Sequence, residues 1–453
     1  MENEKNTKLR KDVGVFTAMS IVVGCVIGAG VFFKPYAIYQ ATGGAPGLGI
    51  LAWIIGGIVS ILGALTFAEV AVMIPKTGGM IAILNETYND KIGFLAGWMQ
   101  VVIFFPTYIA GYGVKVGSEL SEYLGAGAEL PIAIGIIILL VVINVLGTKV
   151  SGKMQVVSTI CKLIPLVLIM VCAFFIGKGG NPVLVPMVGE GKSIGGALGT
   201  TLLAVLFAFE GWTNVGSVAG EMKNPGKDLP KAIVGGVSII MAVYLIINLA
   251  YLWVIPADQL MNLESPGAAV AIALFGPIGG TIIKIGIIIS VIGAGNGFLL
   301  AGSRVAYCLA EDGKLPCSDE LSKLNKKSSP ANVIILVGTL SCIYALLGKK
   351  FDFLTDLGTL SCWIFYTLTF TCVIRLRRKM PDAERKYKVP LYPVIPILAI
   401  ISGLFVIYSQ LFLSGSYGLI ISLCSIGITL LGLPVYFLVR AAHRKKDGGP
   451  VQE

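Results

Sequence analysis

Long apolar runs alternate with short polar stretches along nearly the whole chain. Twelve of these runs approach or exceed the roughly 20 residues a helix needs to cross a bilayer. Their approximate limits are 13–41, 47–74, 93–118, 129–147, 154–177, 197–220, 232–255, 277–309, 331–347, 354–374, 394–413 and 417–439. The pattern predicts an all-α polytopic membrane protein of twelve transmembrane helices. Two runs are interrupted. The first contains Val23-Gly24-Cys25-Val26-Ile27-Gly28-Ala29-Gly30-Val31-Phe32, with three glycines where the helix should be strongest, and glycine makes a helix easy to unwind. Unwound backbone inside hydrocarbon is tolerated only where it is buried in protein or lines a wet cavity. The sixth run carries Phe207-Ala208-Phe209-Glu210-Gly211-Trp212-Thr213-Asn214, a carboxylate, a glycine and polar side chains at mid-span.

The two interrupted runs are five spans apart. That is the offset expected if residues 13–177 and 197–374 form inverted repeats of five spans each, with 394–439 as two additional spans. Glycine-interrupted segments at corresponding places in two halves point to a transporter binding site. Between the spans, Pro75 to Ile92 reads either as a short interfacial helix that gates one end or as a solvated connector. The break at Ser265-Pro266-Gly267 predicts a re-entrant or surface helix ahead of the eighth span.

Composition narrows the class. The 453 residues are 55% hydrophobic and 13% charged, which excludes an ordinary soluble protein. Residues 1–12 form a charged tail, and the run that follows is too long for a cleavable signal. The net charge of +10 does not imply nucleic acid, because the basic residues lie between apolar runs. With a cytoplasmic N-terminus, the inward segments carry 27 Lys and Arg and the outward segments five, which places both termini, including the tail at 440–453, in the cytoplasm. The single histidine, His443, falls in that tail, and the nine cysteines show no CxxC spacing. A histidine-based catalytic or metal site is thereby excluded, and no cofactor is implied.

A broken helix exposes N–H groups and a positive dipole end on one side and carbonyls on the other. Two breaks side by side can hold both ends of a zwitterion, which favours an α-amino acid, although an inorganic anion or Na⁺ would use the same features.

The residues Gly24 to Phe32, Ala64-Leu65-Thr66-Phe67-Ala68-Glu69 with Pro75-Lys76-Thr77-Gly78-Gly79, and Phe207 to Trp212 with Gly220-Glu221-Met222-Lys223-Asn224-Pro225 resemble the amino acid–polyamine–organocation superfamily. Asn296-Gly297, Ser303-Arg304 and Asp312-Gly313-Lys314-Leu315-Pro316 extend the likeness. It is nearest to the bacterial relatives of the L-type amino acid transporters. The resemblance implies a LeuT-type five-plus-five fold with discontinuous helices 1 and 6, alternating access and sodium-independent exchange. It places the substrate carboxylate on the backbone of Gly28, Ala29 and Gly30, and the amine near carbonyls of Val26, Phe207, Ala208 and Glu210, with the Phe207 ring as a gate. The alternative for the glycines is tight helix packing.

Four further side chains stand out. Lys162, inside span five, should face the bundle interior; the resemblance gives it the place of a sodium ion, bonded to unwound span one and polar groups of span eight, and an inert paired lysine is the alternative. Tyr244 lies near mid-span, so its hydroxyl needs an internal partner; it either helps close the site against span one or packs in the core. Trp212 adds bulk beside the site and with Phe207 favours small substrates. Glu210 departs from the small residue many L-type members carry: as a strut for the broken helix, the favoured role, or as a proton site, or as a selector of cationic side chains. Glu69 and Glu210 are read as the acidic residues of the spans, with Glu69 in an interfacial ion pair. Lys34 and Lys284 are expected to reach the interface or a vestibule.

The leading function is exchange of small neutral L-amino acids. The alternatives are a proton-coupled symporter, or an exchanger of cationic amino acids or polyamines. An intramembrane enzyme lacks the residues, and a channel would show pore repeats or charged rings. L-type transporters of animals join a heavy subunit through a cysteine between spans three and four. Ser118 to Glu129 has none, so a single chain in a bacterial inner membrane is expected.

Overall fold

The computed structural model describes residues 14–74, 78–222, 224–327 and 329–446. Residues 1–13, Pro75 to Thr77, Lys223, Ser328 and the last seven residues lie outside that description, as do the side chains of Thr17, Ile21, Ala126, Thr148, Lys149, Ser217, Val218, Ala219, Glu221 and residues 443–446. The described chain is all-helical, in the order α1 (Val15–Val26), α2 (Gly30–Thr42), α3 (Pro46–Met73), α4 (Met80–Thr87), α5 (Asp90–Met99), α6 (Phe105–Leu124), α7 (Glu129–Val145), α8 (Thr148–Ile176) and α9 (Ile194–Ala208). There follow α10 (Pro225–Val254), α11 (Ala257–Leu260), α12 (Pro266–Glu311), α13 (Ser318–Leu321), α14 (Ala331–Gly348), α15 (Phe351–Lys379), α16 (Val394–Phe412), α17 (Gly415–Leu430) and α18 (Gly432–Lys446).

Among the described residues, ten helices are long and apolar enough to cross a bilayer, and the bent pair α1 and α2 supplies an eleventh. The run expected at 129–147 is the 17-residue α7, short of that length. Two segments resolve what the pattern left open. Met80 to Thr87 is a short helix with Met80, Ile81, Ile83 and Leu84 buried, packed on α5 and α15 rather than solvated. Ahead of the eighth span, Pro266 at a first helical turn opens a helix that bends at Gly276 (φ 70) and resumes at Pro277. That left-handed φ suits glycine, and the next residue cannot donate a backbone bond.

The lipid-facing elements explain the uniform hydrophobicity of their runs. On α8, Val156, Val157, Ile160 and Ile164 are exposed, as are Leu404 on α16 and Leu423 on α17. Apolar side chains pointing outward are what hydrocarbon demands. Buried at the centre are α2, the C-terminal part of α9 and one face of α1 (Ala18, Val22, Val26), with α1 against α10, α2 against α9, α8 against α12 and α10 against α3. Both interrupted runs therefore lie inside the bundle.

Candidate functional site

The first break is real and short. Helix α1 stops at Val26; Ile27 is extended (φ −68, ψ 103), and α2 starts at Gly30 after a bend of 44°. The Ile27 amide still reaches Val23, whereas none is recorded from the backbone amides of Gly28, Ala29, Gly30 and Val31 to a carbonyl among the described residues. These are the orphan donors a helix start must satisfy by other means. The second break follows Ala208. The amide of Glu210 turns back to Phe207, Gly211 adopts φ 113, and the chain continues as a 3₁₀ helix over Trp212–Glu221.

Glycine at two positions lets the breaks meet. A Cβ on Gly30 would sit 2.6 Å from both Cα and Cβ of Ala208, and one on Gly211 would come 3.3 Å from the Cys25 carbonyl oxygen. Tyr244 of α10 reaches across both: its hydroxyl lies 3.0 Å from the carbonyl oxygen of Val26 and 2.9 Å from that of Ala208. These are two of the carbonyls that the family resemblance assigns to the substrate amine. Each carbonyl oxygen has two lone pairs, so a second donor can still bind. Tyr244 is fully buried, with Trp53 and Phe209 against its ring.

Lys162 projects from α8 into the first break. Its ammonium donates to the carbonyls of Gly24 (2.6 Å) and Ile27 (2.8 Å), and the side chain is fully buried. A cation at the C-terminal end of α1 sits where the helix dipole and the unpaired carbonyls favour it. The expected bonds to span eight are absent among the described residues; α12 instead presses on Gly28 through Ala294, 3.3 Å from a Cβ built there.

Glu210 is not paired by Lys162. Its Oε1 accepts from the Tyr366 hydroxyl of α15 (2.5 Å) and from the Gly211 amide (3.2 Å), while Oε2 has no partner. Tyr366 also shares a hydrogen bond with Thr213 (2.8 Å). The Trp212 ring turns towards α3 and α15, edge-on to Phe67 (5.6 Å) and tilted on Tyr366 (5.4 Å), so it packs the second break from behind. Phe207 meets Tyr108 (5.0 Å) and Phe351 (5.6 Å). Tyr108 in turn stacks on Phe298 at 4.7 Å, next to a π-helical turn, Gln100–Phe104, of the kind that recurs at functional sites.

Asp352, Thr355 and Asp356 escaped the sequence reading, and the reading of Lys34 needs correction. Lys34 does not reach an interface: it is fully buried, bonded to Asp352 (2.7 Å), Asp356 (3.0 Å) and Thr355 (2.9 Å) of α15. Asp356, 6% exposed, also corrects the reading of Glu69 and Glu210 as the acidic residues of the spans. The signal was a lysine and two carboxylates four apart within or beside apolar runs, which cannot stay unpaired there. Lys284 is likewise paired, with Glu119 (3.2 Å) and Glu122 (2.5 Å). Glu69 does form an ion pair, with its own side chain fully buried and its partner partly exposed: Arg377 grips it through two nitrogens (2.8 and 2.7 Å) and the Val389 amide adds a third bond (2.7 Å).

Cavities flank the site on two sides. One of about 380 Å³ is lined by Gly79, Gln100, Thr213, Arg304, Ser329 and Tyr366. The other, of about 920 Å³, is lined by Phe33, Gln40, Lys115, Phe351, Asp352 and Asp356. Two broken helices meeting at mid-bundle between two cavities define a membrane transporter with a central site. The chain belongs to the amino acid permease family, whose model matches residues 13–431. It is 39% identical over 442 residues to the serine/threonine exchanger SteT of Bacillus subtilis (strain 168), covering 96% of this chain and 98% of that one. More distant similarity links it to the human b(0,+)-type amino acid transporter 1 (28% identical, 96% and 89% covered) and the human cystine/glutamate transporter (29% identical, 96% and 86% covered).

Proposed function

We propose that this protein exchanges small neutral L-amino acids across a bacterial cell membrane, without sodium, by alternating access. The observation that carries this reading is the pair of breaks in backbone contact, with the Lys162 ammonium on the carbonyls of Gly24 and Ile27. A built-in cation neutralises carbonyls that would otherwise invite a metal ion. The amides of Gly28, Ala29 and Gly30 receive the substrate carboxylate, and the carbonyls of Val26, Phe207, Ala208 and Glu210 receive the ammonium. Phe207 closes over the site, while Tyr244 and Trp212 support the two breaks. Serine or threonine is the first substrate to test, because a relative 39% identical over nearly the full length of both chains is named for exchanging them.

The five-plus-five inverted repeat, twelve spans and cytoplasmic termini belong to the same proposal, supported by the offset of the breaks and the bias of Lys and Arg. Action as a single chain is supported by the lack of cysteine between Ser118 and Glu129. A second reading, proton-coupled uptake or selection of a cationic side chain, is favoured by one observation, the buried Glu210 Oε2 without a partner.

Counterflow in proteoliposomes separates the two. Vesicles preloaded with L-serine should accumulate labelled L-serine equally in sodium and in choline, and empty vesicles should not. Uptake into empty vesicles that follows an imposed pH gradient would sink the exchanger reading.

A further inference from the structure

The smaller cavity carries charge of one sign. Its volume of about 380 Å³ falls within the ~300–1,000 Å³ of small-molecule pockets, and Arg304 of α12 is the sole charged side chain lining it among the described residues. Among those residues Arg304 has no ion pair or hydrogen bond. Gln100, in the π-helical turn before α6, is a second open group. It is 8% exposed and lines the same cavity, with its side-chain amide unpartnered among the described residues. Helix α4 begins there too. Gly78, Gly79 and Met80 line the cavity, and among the described residues no side chain or carbonyl caps the amides of Gly79 and Met80, so the positive end of that helix is open. We propose that this cavity is a second binding site, separate from the two breaks, for an organic carboxylate with an apolar body and no ammonium group.

Other polar groups of the wall are already satisfied. Ser303 donates to the Leu300 carbonyl and Ser329 to that of Asn144, while Thr213 and Tyr366 share a hydrogen bond. What is left over is chiefly donors: the guanidinium's five N–H groups, the Gln100 amide and the start of α4. A planar fork of this kind matches a carboxylate through two parallel bonds. Phe104, Phe105, Val305 and Ile334 supply an apolar wall for the rest of the molecule. An ammonium has no counterpart here. No carboxylate among the described residues lines the cavity, and the open Oδ1 of Asn144 is sealed beneath its surface.

The breaks offer the opposite match, since their amides and carbonyls suit both ends of a zwitterion. The cavity suits one end and an apolar body. Tyr366 lines it and also holds Glu210, so an acid bound there stands against the support of the second break. It would inhibit any cycle in which that support moves.

The test is equilibrium binding of labelled phenylpyruvate to the full chain in lipid-detergent micelles, with the signal of empty micelles subtracted. Binding should saturate, and excess unlabelled phenylpyruvate should displace the label whereas phenethylamine, its ammonium counterpart, should not. Arg304→Gln should weaken binding at least tenfold, and Arg304→Lys and Gln100→Leu about threefold each. Lys379→Gln, which removes an exposed cation of α15, should stay within about twofold of the parent. Arg304 makes no internal bond among the described residues, so its replacement should leave the elution profile of the protein unchanged. Absence of saturable binding, displacement by phenethylamine, or undiminished affinity in both Arg304→Gln and Gln100→Leu would overturn the assignment; the last result would put the acid elsewhere, on the open amides of Gly28 to Gly30. Binding is read without transport. A parent protein that binds phenylpyruvate in this pattern but shows no serine counterflow would uphold the site and remove the proposed function.

Discussion

The two breaks face the same electrostatic problem and meet it with opposite charges. At the C-terminal end of α1 the dipole is negative and carbonyls lack partners, and a lysine from α8 fills the place with a cation bonded to two of them. At the C-terminal end of α9 the same negative pole meets Glu210, a carboxylate on the wrong side of the dipole. It is held by one amide and one tyrosine hydroxyl, with one oxygen unpartnered. The carbonyl side of the first break is braced from outside by a neighbouring helix, while the amides of Gly28 to Val31 stay open. The second is braced by its own side chain and is half satisfied. An arrangement that runs against the dipole, and leaves a buried acceptor open, is where a moving ligand or proton has most to contribute.

The comparison breaks hardest at Lys162. Lys162→Met deletes two charge-assisted bonds and leaves the Gly24 and Ile27 carbonyls bare in a buried site, a loss of ~3 kcal/mol or more. Counterflow should fall at least a hundredfold, and thermal unfolding in detergent should move several degrees lower. Next comes the contact between the breaks. Gly30→Ala places a methyl 2.6 Å from Ala208, and overpacking of this kind costs ~1–3 kcal/mol; exchange should drop about tenfold while the protein still folds, as judged by a single sharp elution peak. The smallest effect sharpens rather than breaks the contrast. Glu210→Gln keeps the shape and an acceptor for Tyr366 but removes the charge. If the side chain is a strut, serine counterflow should stay within about threefold of the parent across pH 6 to 8; loss of exchange with intact folding would make the charge itself part of the cycle.

Much of this molecule was legible in its sequence, because bilayer and backbone impose strict local rules. Apolar runs of spanning length marked the helices, glycines marked the places where two of them break, and a lysine in hydrocarbon had to find an interior partner. Lys162 does so within the first break. Tyr244 likewise needed an acceptor, and its dead-centre position pointed inward; that it would take one carbonyl from each break was not written in its neighbours.

Other features depended on which helices lie together. Lys34 reads as an end-of-helix charge when only Pro35 and the following residues are considered, and becomes a buried ion cluster because α15 brings Asp352 and Asp356 against α2 from more than 300 positions away. Glu210 could have met Lys162 as far as spacing was concerned, but α8 delivers that ammonium to α1, and α15 delivers Tyr366 to Glu210 instead. Trp212, a candidate for the pocket wall, packs instead on the buried rings of Phe67 and Tyr366. The sequence by itself determined the class, the helices and where two of them break, since these follow from hydrophobicity and backbone hydrogen bonding along the chain. Only the tertiary structure decided which charge answers which, because the partners of a buried charge are chosen by packing across the bundle and leave no periodic trace in the residues beside it.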